Sequence, residues 1–207
     1  MDFVYGKIRV SKDIEIETVT GGNRYSGKVW LEIARQIYCE HGEDYREIGH
    51  FKSGAPFLFS DNHKISISHT KGCLAVASLK VDEEADLSKF DYATLLGVDV
   101  EKADREKAAS LRERFLDESE LELAPEGDIE KCIIAWTSKE AMYKAALTPG
   151  INWHHDLLIK KLPSPGKPGE GAIIIREKEY PVKLETFREE DYFITVTSST
   201  LSPTYQR

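Results

Sequence analysis

The sequence predicts an α+β fold in which a main helix followed by an antiparallel set of strands occurs twice. Three observations predict it. Helical patterns run over 26–40 and 129–147, strict two-residue alternation runs over 64–69 with a partner at 73–80, and strands close the chain without intervening helices.

The elements follow in order. Residues 3–19 read as one or two short strands, because Ile14 and Ile16 alternate with Glu15 and Glu17, and Gly21, Gly22 and Asn23 then break the chain. In 26–40, Val29, Ile33 and Ile37 recur at four-residue steps, Trp30 and Ala34 widen the apolar stripe, and Gly42 stops the helix. Ser53-Gly54-Ala55-Pro56 reads as a turn. Residues 64–69 and 73–80 form a hairpin across Thr70-Lys71-Gly72. Acid-rich 82–91 reads as an exposed linker, which divides the chain into an N-terminal subdomain, 1–92, and a C-terminal subdomain, 93–207. Residues 94–100 read as a buried strand, about 105–115 as a helix and about 117–124 as a short one. Pro125 and Gly127 punctuate, and the longer helix over about 129–147 ends at Pro149-Gly150. Strands at about 171–177, 180–187 and 192–198 finish the pattern. The likeness of the halves is architectural, with no repeat of residue identity.

The bulk numbers bound the function. A length of 207 residues, with 41% hydrophobic and 31% charged, suits a soluble globular protein of one large domain or two small ones. No apolar run approaches the roughly 20 residues that span a bilayer. Met1–Val10 lacks a basic stretch followed by an apolar one, so cytoplasmic location is the expectation. A net charge of -8 argues against general nucleic-acid binding, so an anionic ligand needs a local concentration of positive charge. Cys39, Cys73 and Cys132 are odd in number and dispersed, and adjacent His154 and His155 would point to opposite faces of a strand. Both facts argue against a disulfide framework and a zinc site.

Three segments carry chemistry. In Gly97-Val98-Asp99-Val100-Glu101, the two acids share one strand face at the end of an apolar run. Such a pair repels, and either a cation or solvent relieves it. On the helix through Trp136-Thr137-Ser138-Lys139-Glu140, the residues Trp136, Glu140 and Lys144 lie along one ridge, which is either a solvated Glu–Lys pair or a partly buried site. Ser66-Ile67-Ser68-His69-Thr70 ends a strand in hydroxyls and an imidazole, as a surface hairpin does and as a phosphate contact requires. Together they offer three carboxylates for a hard divalent ion, with Lys139, Lys144 and His69 as positive charge for a polyphosphate. No Gly-rich loop of the Walker type is present.

In these motifs the sequence resembles the 4'-phosphopantetheinyl transferase superfamily. The family's Gly-(Ile/Val)-Asp-x-Glu strand stands here as Gly97 to Glu101, and its Trp-(Ser/Thr)-x-Lys-Glu-(Ala/Ser)-x-x-Lys helix as Trp136 to Lys144. Its Ser-His-Ser element is Ser68-His69-Thr70, and its Gly-Lys-Pro element is Gly54-Ala55-Pro56. The length and the Ser-His-Thr element in a first half look like the surfactin-type branch, in which two units are fused as a pseudo-twofold monomer with coenzyme A in the cleft between them. The resemblance implies transfer of the 4'-phosphopantetheine arm of coenzyme A to a serine of an apo acyl or peptidyl carrier protein, with 3',5'-adenosine bisphosphate released. It implies Asp99, Glu101 and Glu140 as ligands to Mg²⁺ or Mn²⁺, with Glu140 also the base. Lys144 would meet the pyrophosphate with Lys139 in support, Ser68 and His69 the nucleotide phosphates, and backbone at Gly54 and Ala55 the adenine. Ala55 replaces the family's Lys, which makes Lys52 or His50 the candidate for the 3'-phosphate, with Arg24 and Lys28 further candidates. The segment with Arg105, Lys107, Arg112 and Arg114 is either a carrier-docking patch or a solvated helix face. A non-catalytic binder and a magnesium-dependent phosphoanhydride hydrolase are the competing readings, separable by coenzyme A consumption.

Overall fold

The computed structural model describes residues 4–21, 29–30, 32–34, 48–52, 54–58, 63–81, 86 and 89–200. Strands β1 (Val4–Arg9), β2 (Ile14–Thr20), β3 (Ile48–His50), β4 (Pro56–Leu58), β5 (His63–Thr70) and β6 (Cys73–Lys80) form one antiparallel sheet in the order β1-β2-β6-β5-β4-β3. Strands β7 (Leu96–Lys102), β8 (Leu157–Lys161), β9 (Gly169–Ile175), β10 (Lys178–Glu189) and β11 (Tyr192–Ser199) form a second in the order β7-β11-β10-β9-β8. Helix α1 (Lys107–Ser110) is a single turn and α2 (Ile129–Ala146) is the long one, with 3-10 turns at Tyr92–Thr94, Arg112–Arg114 and Glu118–Glu120. The architecture is α+β, with no strand–helix–strand crossover between parallel neighbours among the described residues.

Residues 29–30 and 32–34 are helical, and Trp30, Ile33 and Ala34 bury against Val19, Leu74 and Val76 on one face of the first sheet. The rest of the expected 26–40 helix, with Cys39, Arg24 and Lys28, lies outside the described residues. The other face of that sheet packs on the second: Ile16, Ala75 and Ala77 meet Val98, Val100, Ile194 and Val196. A third cluster joins α2 to the far face of the second sheet through Ile133, Ile134 and Met142 against Ile173, Leu184 and Phe193. Strands β6 and β11 send alternate residues into different clusters, Leu74 and Val76 against Ala75 and Ala77, and Phe193 against Tyr192 and Ile194, as the two-residue period demands. No described helix is long and apolar enough to cross a membrane.

Three expectations are corrected. The turn at 53–56 is flanked by the short hairpin of β3 and β4, and β8 is an additional strand. The helix expected at 105–115 stops after α1. There Arg112 turns inward and its Nη1 donates to the carbonyls of Leu121 at 3.2 Å and Ala124 at 3.3 Å. The one expected at 117–124 is a single 3-10 turn closed by a capping box between Asp117 and Glu120. Helix α2 begins at Asp128, whose side chain accepts from the Lys131 amide at 3.1 Å, and ends where Leu147 adopts φ 46 ahead of Pro149.

The approach of α2 to β7 sets the position of everything that follows. A Cβ at Gly97 would overlap the Ala141 carbonyl oxygen and come within 2.9 Å of the Ala145 amide nitrogen. Gly97→Ala should therefore push helix from strand and destabilise the fold by about 3 kcal/mol, read as a lower urea midpoint with unchanged slope. A variant as stable as the parent would show that the helix shifts freely.

Candidate active site

Strand β7 is the edge of the second sheet, and its free edge faces β5. The Val98 amide donates to Ser66 Oγ at 3.0 Å, and Lys144 Nζ donates to the Val98 carbonyl at 2.9 Å. Neither group is left orphaned on an open edge. Along β5, Ser66, Ser68 and Thr70 share a face at two-residue steps. Ser68 Oγ donates to Asp99 Oδ1 at 2.7 Å, and Thr70 Oγ1 donates to Glu101 Oε1 at 2.8 Å. The hydroxyl row of one sheet thus holds the carboxylate row of the other.

Asp99 and Glu101 are both buried, and each meets a cation. Lys144 Nζ lies 2.8 Å from Asp99 Oδ1, and Arg105 forms an ion pair with Glu101. Arg105 also lies over the Trp136 ring, 5.6 Å from its centroid. Glu140, one helical turn before Lys144, is half-buried, and its carboxylate makes no hydrogen bond or ion pair with any described residue. Burial first, and then the Asp99 charge, push its pKa up to about 7, against the pull of Lys144 and Arg105. His69 shifts the other way: burial and then the Lys144 charge hold its imidazole below the usual histidine range, against Asp99.

Among the described residues, no three His, Cys, Asp or Glu side chains are drawn together as a metal cage. Asp99 and Glu101 are turned onto Lys144 and Arg105 instead. The donor set still fits a hard divalent cation: it is all oxygen, and Glu140 is a carboxylate without a hydrogen-bond partner among the described residues, raised by burial and then by the Asp99 charge. Asp99, Glu101 and Glu140 are thus the residues that could hold such an ion.

A cavity of about 610 Å³ opens where the two sheets meet. Its lining runs from the turn at Lys52, Gly54, Ala55 and Pro56, along β5, to the C-terminal end of α2. Three lysines, Lys52, Lys64 and Lys144, line it with no acid among the lining residues, which is unusual for a chain of charge -8. The carboxylates are not in its wall, and Lys144 is what joins the two regions. The turn is closed by the Gly54 amide donating to the Phe51 carbonyl at 2.8 Å and the Phe51 amide to the Ala55 carbonyl at 2.9 Å, with Gly54 at φ 86. His50 is exposed on β3 and is not part of the lining.

Two residues expected at the phosphates have internal partners. Lys139 is fully enclosed, with Nζ 2.6 Å from Glu120 Oε2, 3.0 Å from the Trp153 carbonyl and bonded also to the Leu157 carbonyl, so it braces α2. Its burial lowers the amine, against the attraction of Glu120. Ser68 spends its hydroxyl hydrogen on Asp99. Of the four basic residues considered for docking, Arg105 and Arg112 are engaged internally, and Lys107 and Arg114 are exposed. Cys73 is buried with its thiol pushed up to about 12, and burial raises Cys132 too, so neither offers a thiolate. Lys64 was not anticipated. Its signal is the alternation Lys64-Ser66-Ser68-Thr70, which puts it on the functional face of β5.

The fold and site define a class: an α+β protein in which carboxylates of one sheet edge and one helix lie beside an acid-free, lysine-lined cavity. Residues 95–197 match the family model of the 4'-phosphopantetheinyl transferase superfamily. The match starts just before β7 and ends within β11, so it contains Asp99, Glu101, Glu140 and Lys144 and none of the first sheet. A comparison with curated proteins finds no match.

The raised pKa of Glu140 has a thermodynamic sign. The folded value, about 7, exceeds the ordinary 4.5, so its stability share is full below about 4.5 and is lost as pH rises through about 7. Glu140→Gln should match the parent near pH 5 and exceed it at pH 8 by on the order of 3 kcal/mol in urea denaturation. Parallel curves for the two proteins would remove the titration from Glu140.

Proposed function

We propose that this protein transfers the 4'-phosphopantetheine arm of coenzyme A to a serine hydroxyl of an apo acyl or peptidyl carrier protein, releasing 3',5'-adenosine bisphosphate. It acts as a surfactin-type enzyme of two pseudo-twofold subdomains, 1–92 and 93–207, working as a cytoplasmic monomer. The observation that carries the reading is Lys144. Its Nζ anchors Asp99 at 2.8 Å while its side chain lines the lysine-rich cavity, so a nucleotide lying there brings its diphosphate to the carboxylates. The superfamily match over 95–197 supports the same chemistry.

In the reaction, the serine Oγ forms a bond to the phosphorus that carries the pantetheine arm. The bond from that phosphorus to the bridging oxygen breaks, and the bisphosphate leaves with the electron pair. The serine proton passes to the Glu140 carboxylate, and a positioned base of this kind contributes about 10²–10⁴-fold. Lys144 offsets the charge that builds on the leaving oxygen. Asp99, Glu101 and Glu140 would hold an Mg²⁺ or Mn²⁺ ion, which would supply positive charge to neutralise the diphosphate. Ser68 and Thr70 keep Asp99 and Glu101 in place through their hydroxyls. The neutral His69 imidazole, Lys52, and the backbone at Gly54 and Ala55 bind the nucleotide.

Incubation with coenzyme A, Mg²⁺ and a panel of apo carriers should add one phosphopantetheine mass to a carrier. Glu140→Gln and Asp99→Ala should each lower that rate by about 10²-fold or more. Full activity in both variants, or bisphosphate release without a carrier, would overturn the assignment.

A further inference from the structure

Four polar residues share one face of β5: Lys64, Ser66, Ser68 and Thr70. Three find partners on β7, namely the Val98 amide, Asp99 and Glu101. Lys64 finds none. It is 5% exposed, and its Nζ is sealed from solvent without a hydrogen-bond partner among the described residues. Asp91, the acid whose charge acts on it, commits Oδ1 to the Ala93 amide at 3.0 Å. An enclosed ammonium without a partner is costly, and a fold that keeps one is holding a donor in reserve.

The place of that donor says what it takes. Lys64 lines the cavity with Lys52 and Lys144, but Lys52 is exposed and Lys144 is committed to Asp99. Lys64 lies four residues along β5 from Ser68, a span of ~13 Å, and so stands at the end of the cavity away from the carboxylates. The wall between is largely apolar, with Ile65, Ile67, Leu96 and Leu147 beside Ser66. A ligand that complements this space has an organic body to cover the apolar wall and a second anionic group beyond the one that reacts. We propose that Lys64 takes a terminal phosphomonoester of the ligand and selects for it. The assignment rests on the coenzyme A reading, where the only such group is the 3'-phosphate. Burial holds the Lys64 amine down to about 8, and an arriving dianion reverses that shift by supplying the missing countercharge.

The test is isothermal calorimetry of coenzyme A and 3'-dephospho-coenzyme A, each with the parent, Lys64→Met and Lys64→Gln. The parent should bind coenzyme A about 10- to 100-fold more tightly than the dephospho form, the range of a charge-assisted hydrogen bond. In both variants that ratio should fall to about one while affinity for the dephospho form holds, which also reports an intact cavity. Lys64→Met should melt above the parent, because it removes an enclosed charge. A parent that does not discriminate, variants that still do, or variants that weaken both ligands equally would each overturn the role of Lys64 alone. A parent that binds neither ligand would overturn the coenzyme A reading and this assignment with it.

Discussion

Helix α2 can lie against β7 only because position 97 has no side chain. That closeness brings the Glu140–Lys144 ridge over the strand that carries Asp99 and lets Lys144 reach both the Val98 carbonyl and the Asp99 carboxylate. The same strand is a sheet edge, so its unpaired backbone needs partners, and a serine of the other sheet and a lysine of the helix provide them. The requirement to close an edge and the requirement to assemble a polar site are met by one set of contacts.

Charge is distributed with equal economy. The chain is strongly acidic, yet the cavity where its sheets meet is lined by three lysines and no acid. Acids and bases in the interior are matched in pairs, Asp99 with Lys144, Glu101 with Arg105, and Glu120 with Lys139. Among the described residues, Glu140 and Lys64 stand outside that pairing, and both are shifted toward neutrality by burial. Unmatched charge of this kind destabilises a fold and is retained where a ligand completes it.

Much of this was legible in the order of residues. Strand β6 coincides with the expected 73–80, because its alternation is strict and Lys71-Gly72 marks the turn. Helix α2 falls within a residue of expectation, because Asp128 and Pro149-Gly150 bracket it. The spacing of Asp99, Glu101, Glu140 and Lys144 was visible as two periodicities, two along a strand and four along a helix. What escaped has physical causes. Strand β8 is a short apolar run ended by two lysines, which carries neither period. Arg112 looks like a surface base in sequence, and only tertiary contact makes it a cap for distant carbonyls. Lys139 sits on the helical ridge of Ala135 and Met142, so its burial was encoded in the helical period. Lys64 was hidden because a lysine in an alternating strand reads as solvent-facing until both faces of the sheet are known to be covered.

The hydroxyl–carboxylate bonds Ser68–Asp99 and Thr70–Glu101 each join residues 31 apart, across two sheets that meet in one shared apolar cluster. No local segment contains the site, and neither sheet can prepare it alone. A small separation of the sheets would cut these bonds while leaving most of each sheet's own ladder intact. Chemical competence should therefore vanish in a partial opening that costs less than global unfolding, and the first symptom of heat, denaturant or a weakened inter-sheet contact would be silence at the site within an otherwise folded molecule.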